Sequence, residues 1–313
     1  MAADLQNPIF RDEDRARAWL EARVWPQGRV CPHCGATEER TRKLEGKSHR
    51  AGLYQCNQCR EQFTATVGTL FERSKIPLSK WLLAMYLLSA SKKGMSAHQL
   101  HRMLGVSYKS TWFMMHRIRE AMNDGSAGPL GGPGKVVEAD ETYMGGKEKN
   151  KHANKRATKN DAFGGKQAVL TLVERDGHAR SFHVPRVTSK TLRPIIVRTA
   201  HRASHLMTDG ARMYPAVGKE FAAHSSVDHA AGEYVRAGFH HSNTVENFFS
   251  ILKRGVYGVY HHVSEQHLSR YLVEFDFRYN NRTATDMGRA ETLAAGIVGK
   301  RLTYRRPYQA AHA

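Results

Sequence analysis

Apolar residues recur at helical spacing near the start of the chain, through Phe10, Ala16, Trp19, Leu20 and Val24, which predicts a leading helix within residues 1–27. From 28 to 68 the spacing breaks into short strand-like pieces, such as Leu53-Tyr54 and the stretch from Gln62 to Val67. Helical spacing returns at Ser79, where Trp81, Leu82, Met85, Tyr86 and Leu88 share one face after Pro77 has set the start. A second helix follows from Ser96, and Gly105-Val106-Ser107 makes a tight turn before a third, from Lys109 to Met122. Residues 69–122 therefore have the pattern of a helix-turn-helix. The stretch 123–134, NDGSAGPLGGPG, holds five glycines and two prolines, cannot sustain a regular element, and marks a linker.

Beyond the linker, Lys135 to Asp140, Ala168 to Glu174 and Ala179 to Val184 read as three strands of an antiparallel meander. A helix near Ser189 to His201, a strand from His205 to Asp209, a helix near Tyr214 to Phe221, a short strand from Ser225 to Asp228 and a long helix from Thr244 complete the pattern. The order βββαβαβα over 135–313 is that of an α/β RNase H-like domain with a mixed five-stranded sheet, so the whole chain reads as multidomain.

Composition narrows the partner. Of 313 residues, 48 are Lys or Arg and 29 Asp or Glu, a net charge of +19 that points to nucleic acid. The longest apolar stretch, Trp81 to Ala90, is too short for a membrane span, which needs about twenty residues. The N-terminal residues carry charges of both signs and no apolar export core, and a cytoplasmic, nucleoid-associated location is expected.

All four cysteines fall in one short stretch, as Cys31-Pro-His-Cys34 and Cys56-Asn-Gln-Cys59, with 21 residues between the pairs. Two close pairs of thiolates suit tetrahedral Zn²⁺, and four sulfur ligands leave no open position, so the zinc is expected to be structural, in a ribbon over 28–68. His33 reads as a surface residue. In the third helix, Tyr108, Lys109, Arg117 and Arg119 are expected to be exposed and to reach DNA phosphates or base edges.

Two apolar runs end in an aspartate followed by glycine within reach: Val136-Val-Glu-Ala-Asp140 and His205-Leu-Met-Thr-Asp209-Gly210. If these strands are neighbours, both carboxylates project at one sheet edge and repel unless a divalent cation, Mg²⁺ or Mn²⁺, lies between them. Glu141 reads as a neighbour of the site. Asn243, Glu246 and Lys253 are three and seven residues apart, on one helix face, and 36 residues separate Asp209 from Glu246. Phe248, Phe249, Ile251 and Leu252 read as core. Lys147, Lys149, Lys151, Lys155, Arg156 and Lys159 crowd one loop and, with Arg254, are candidates for DNA-backbone contact.

At this point the sequence resembles the DDE transposases, and more closely the zinc-ribbon transposases of ISXO-type bacterial insertion sequences. The resemblance rests on the four cysteines, VEADETYMGGKEKNKH from Val137 to His152, LMTDG ending at Gly210, the stretch from His241 to Phe275, and FRYNNR ending at Arg282. It implies water attack at the phosphodiester of each transposon end, then attack of the freed 3′-hydroxyl on target DNA. It also implies a pair of Mg²⁺ or Mn²⁺ ions about 4 Å apart, bridged by Asp140 and held by Asp209 and Glu246, with Lys253 positioning a phosphate. Some members carry an asparagine as third residue, and Asn243 is present; Glu246 is favoured because it has the spacing to Lys253 and a carboxylate neutralises Mg²⁺ better than an amide. A homodimer or larger assembly on transposon ends and target DNA is the implied working form. The rival readings are a regulatory or domesticated DNA-binding protein without catalysis, and a nuclease of the same fold that cuts without joining.

Overall fold

The computed structural model describes residues 4–125, 128–146, 149, 152–156, 165–227, 239 and 241–303. They form two compact units, one of residues up to 123 together with those from 284 onward, the other of residues 124–283.

The first unit opens with helix α1 (Glu13–Val24), capped by Asp12, whose side chain accepts from the amides of Asp14 and Arg15. A three-stranded antiparallel sheet follows, β1 (Thr41–Lys43), β2 (Tyr54–Cys56) and β3 (Gln62–Phe63), in the order β1-β2-β3. Trp25, Tyr54 and Phe63 pack ring to ring beneath it, with centroids 5.4 to 5.9 Å apart. Helices α2 (Leu78–Ala90), α3 (Ala97–Leu104) and α4 (Tyr108–Met122) come next. Pro77 supplies no side-chain cap to α2. The Glu13 carboxylate does so, accepting from the amides of Leu78 and Ser79 at 2.7 and 3.0 Å. Ser96 and Ser107 cap α3 and α4 in the ordinary way, and Gly105 ends α3 at φ +59°, a left-handed conformation in which glycine carries no Cβ strain.

The chain end differs from the expectation that 135–313 forms a single domain. After α8, helix α9 (Asp286–Ala295) packs against α2 and α4 in the first unit. The Leu70 amide then donates to the Ile297 carbonyl at 2.9 Å. Gly296 is required there, because a Cβ at this position would lie 2.2 Å from the Ala121 carbonyl oxygen.

The second unit holds the sheet β4 (Val136–Met144), β5 (Gln167–Glu174), β6 (Ala179–Val184), β7 (His205–Asp209) and β8 (Ala223–Val227), in the spatial order β6-β5-β4-β7-β8. The first three strands form the antiparallel meander, and β7 and β8 extend it in parallel, giving the mixed five-stranded α/β sheet. Alternation along the central strands divides the core in two. Val137, Ala139, Ala168, Leu170, Leu172 and Leu206 face the layer of α5 (Ser189–Thr199) and α6 (Tyr214–Gly218). Met144, Val169 and Val173 face the layer of α7 (Asn243–Gly255) and α8 (Glu265–Asn280). Helix α7 buries Val245, Phe248, Phe249 and Leu252 there, with Ile251 partly buried beside them. Strand β4 does not stop at Asp140. It continues to Met144, paired with β5 from Val137 onward, because β5 supplies a partner for each residue past Asp140.

Candidate active site

The parallel pairing of β4 with β7 matches Val136 to His205, Val137 to Leu206, Glu138 to Met207 and Ala139 to Thr208. Asp140 and Asp209 occupy the next step of that register, so both carboxylates leave the same face of the sheet. That face is the α7 side, since Glu138, two residues before Asp140, bonds the backbone of Thr244 and Val245 in α7. Burial pushes the Asp140 carboxyl up to about 8, and the negative charges of Glu141, Asp209 and Glu246 add to the effect. Glu246 is exposed on the first turns of α7, and the buried Ser242 hydroxyl donates to its carboxylate at 3.4 Å.

Glu141 points the other way. The phenol of Tyr214, fully buried in the α5–α6 layer, donates to Glu141 Oε2. Burial raises the Glu141 carboxyl, the tyrosine bond opposes the rise, and Asp209 adds to it. Asn243 is exposed at the first position of α7, its amide 3.4 Å from His241 Nδ1. Lys253 is half-buried and Arg254 exposed further along the same helix.

In the first unit the four cysteine sulfurs lie within 4.8 Å of one another. Cys31 Sγ is 3.7 Å from Cys59 Sγ, and Cys34 Sγ is 3.6 Å from Cys56 Sγ. A tetrahedron of sulfurs about 2.3 Å from a central Zn²⁺ has edges of roughly 3.8 Å, so the donor set and its spacing fit zinc. Backbone amides of Cys59 and Gln58 lower the Cys56 thiol to about 7, while desolvation and the neighbouring sulfurs push the Cys59 thiol up to about 12. Among the described residues, these cysteines are the group of three or more His, Cys, Asp or Glu side chains close enough to share one ion.

A family profile described as an ISXO2-like transposase domain matches residues 129–280, and one described as a transposase zinc-ribbon domain matches residues 11–62. A protein of the transposable element ISH50 of Halobacterium salinarum is 30% identical over 280 residues, covering 86% of this chain and 91% of its own. The chain belongs to the ISXO2-like transposase family. A chain of the Mos1 strand transfer complex is also similar, at 12% identity over 68% of this chain and 73% of its own, with a TM-score of 0.28, too low to bear on fold or chemistry.

Not every residue singled out in this transposase sequence is where the spacing suggested. Tyr108 and Lys109 are exposed at the start of α4. Arg117 and Arg119 are not: they are 6% and 1% exposed. Arg117 Nη2 donates to the Glu72 carbonyl at 3.0 Å and its guanidinium lies 5.2 Å from the Trp81 ring, and burial lowers its pKa. They are core residues, and neither reaches DNA from this position. Lys149 is exposed, whereas Lys147, Lys151 and Lys159 and the side chain of Lys155 lie outside the described residues.

Sequence reasoning passed over Glu138, Arg175 and Tyr214. A glutamate inside an apolar run, Val136-Val-Glu-Ala, was the one available signal, since a charge in a buried strand needs a partner.

Proposed function

We propose that this chain is a metal-dependent DNA transposase that cleaves at the ends of its element and joins the freed 3′-hydroxyl ends to target DNA. The observation that carries the reading is the β4–β7 register that sets Asp140 and Asp209 side by side on the α7 face of the sheet, where the Glu246 charge also acts on Asp140. A carboxylate buried beside other negative charges, as Asp140 is, is relieved by a divalent cation. Asp140, Asp209 and Glu246 are the residues that would hold Mg²⁺ or Mn²⁺. When bound, such ions supply charge for the leaving oxygen and lower the pKa of an attacking hydroxyl.

The chain's own groups do the rest. Ser242 orients the Glu246 carboxylate through its hydroxyl. Lys253, seven residues on, lies on the same helix face as Glu246 and is assigned to a phosphate of the bound DNA. Tyr214 holds Glu141 on the opposite layer, which leaves Asp140 as the β4 carboxylate for the ion. Tyr108 and Lys109, exposed where a recognition helix presents its first residues, are assigned to DNA contact, together with Lys149 and Arg254. The net charge of +19 supports a phosphate backbone as partner. The chain is expected to work as a homodimer or larger assembly on paired ends, as the family resemblance implies.

Labelled duplexes bearing the element's ends, incubated with protein and Mg²⁺ or Mn²⁺, test the proposal. Cleavage at the ends and joining of a pre-cleaved end to a second duplex are the expected products. Cleavage without joining would reduce the activity to that of a nuclease, and binding without either product would leave a DNA-binding protein.

A further inference from the structure

Helix α7 starts without a cap of its own. Its N-cap Ser242 makes no side-chain bond to the first-turn amides. Those amides are taken instead by strand β4: Thr244 N and Val245 N donate to Glu138 Oε2 at 2.9 and 3.0 Å, and Thr244 Oγ1 donates to Glu138 Oε1 at 2.9 Å. Glu138 is fully buried, and Arg175 meets its charge, Nε donating to Oε1 at 2.6 Å. The same guanidinium donates to the carbonyls of Phe239 and His241, both at 2.9 Å, so it also ties down the approach to α7.

A serine cap would have satisfied the amides with far less desolvation, as Ser96 and Ser107 do for α3 and α4. Burying an ion pair for the same task adds little net stability. What it adds is register. Glu138 and Asp140 share one face of β4, about 7 Å apart along the strand. Val245, which Glu138 holds, directly precedes Glu246. The clasp therefore links the strand that carries Asp140 to the helical turn that carries Glu246.

We infer that Glu138, charge-balanced by Arg175, is a positioning residue that sets where Glu246 stands relative to Asp140; this rests on the metal-site reading above. Without it, the first turn of α7 has unsatisfied amides and frays, and Glu246 lies at the end of that turn. A metal ligand held loosely by even a fraction of an ångström loses affinity for its ion.

The test uses the full chain. Mn²⁺ binding is followed by electron paramagnetic resonance, and the Mn²⁺ concentration for half-maximal end cleavage is measured alongside. Glu138→Gln keeps the shape and removes the charge, and it should weaken Mn²⁺ binding by about 10-fold or more, with DNA affinity in the absence of metal unchanged. Combined with Glu246→Ala it should add nothing to the loss caused by Glu246→Ala alone. Wild-type Mn²⁺ affinity in a folded Glu138→Gln protein, or effects that multiply in the double variant, would overturn the inference. Should Glu138→Gln fail to fold, Thr244→Val removes the hydroxyl bond alone, and a Mn²⁺ shift of about 2-fold to 5-fold is expected for one hydrogen bond; no shift there overturns the inference equally. A wild-type chain that neither binds Mn²⁺ nor cleaves overturns both this inference and the proposed function. A wild-type chain that does both, beside an unaltered Glu138→Gln protein, overturns the clasp alone.

Discussion

Asp140 and Glu141 are adjacent in β4 and face opposite layers of the second unit, Asp140 toward α7 and Glu141 toward Tyr214 of α6. Strand alternation thus separates two acids that look equivalent in the motif Asp140-Glu141-Thr142. Asp140→Ala and Asp209→Ala should each reduce end cleavage and joining by more than about 100-fold, the upper range for loss of a residue that only supports a ligand. DNA affinity in gel shifts should stay within about 2-fold, because binding is assigned to other residues. Glu141→Gln should retain measurable cleavage; complete inactivity would place Glu141 among the ligands.

The choice between Asn243 and Glu246 is open to the same assay. Both are exposed, but it is the Glu246 charge that acts on Asp140. Glu246→Ala should abolish cleavage in Mg²⁺, and Asn243→Ala should retain at least about a tenth of it, the least severe loss for a group that only supports the site. The reverse pattern would make the asparagine the third residue.

Arg117 and Lys109 share α4 and should separate cleanly. Lys109→Ala should weaken DNA binding and lower the slope of log affinity against log salt by about 1, as for one lost phosphate contact. Arg117→Ala should leave that slope unchanged and lower the stability of the first unit by about 2–3 kcal/mol, through lost packing on Trp81 and the unsatisfied Glu72 carbonyl. Salt-dependent titrations and urea melts of the two variants distinguish the cases.

Zinc should be present at one ion per chain in metal analysis of the purified protein. Chelation should raise hydrogen exchange across residues 28–68, where Trp25, Tyr54 and Phe63 pack beneath the cysteines. Unchanged exchange after complete zinc removal would show that the ribbon holds without the metal.

Desolvation raises the Asp276 carboxyl to about 7, although Ser181 donates to it through both its amide and its hydroxyl. The folded chain therefore holds this proton where the unfolded chain, with a carboxyl near 4, has released it. Stability conferred at low pH is lost as pH rises from about 4 to about 7, with a slope of at most about 1.4 kcal/mol per pH unit. Asp276→Asn, which can keep both Ser181 bonds, should flatten that slope and melt above the wild type at pH 8. An equal or lower melting temperature at pH 8 would refute it.

What the sequence determined by itself was local. The two CxxC pairs, the periodic faces of α2 and α7, the Gly105 turn and the apolar strands are set by spacings of a few residues, so each was readable before any packing was known. Motif order along the chain was enough to show the family resemblance as well. Tertiary packing decided the rest. It carried α9 back to the first unit, where Gly296 meets Ala121, and it buried Arg117 and Arg119 on a helix whose own pattern leaves them polar. It extended β4 past Asp140 because β5 supplied partners for four more residues. It also gave Glu138 its task, since the amides that it caps lie 106 and 107 residues away in the chain. No periodicity within β4 or α7 encodes that contact. It exists because two amphipathic elements bury their apolar faces in one core, and their polar ends must then satisfy each other.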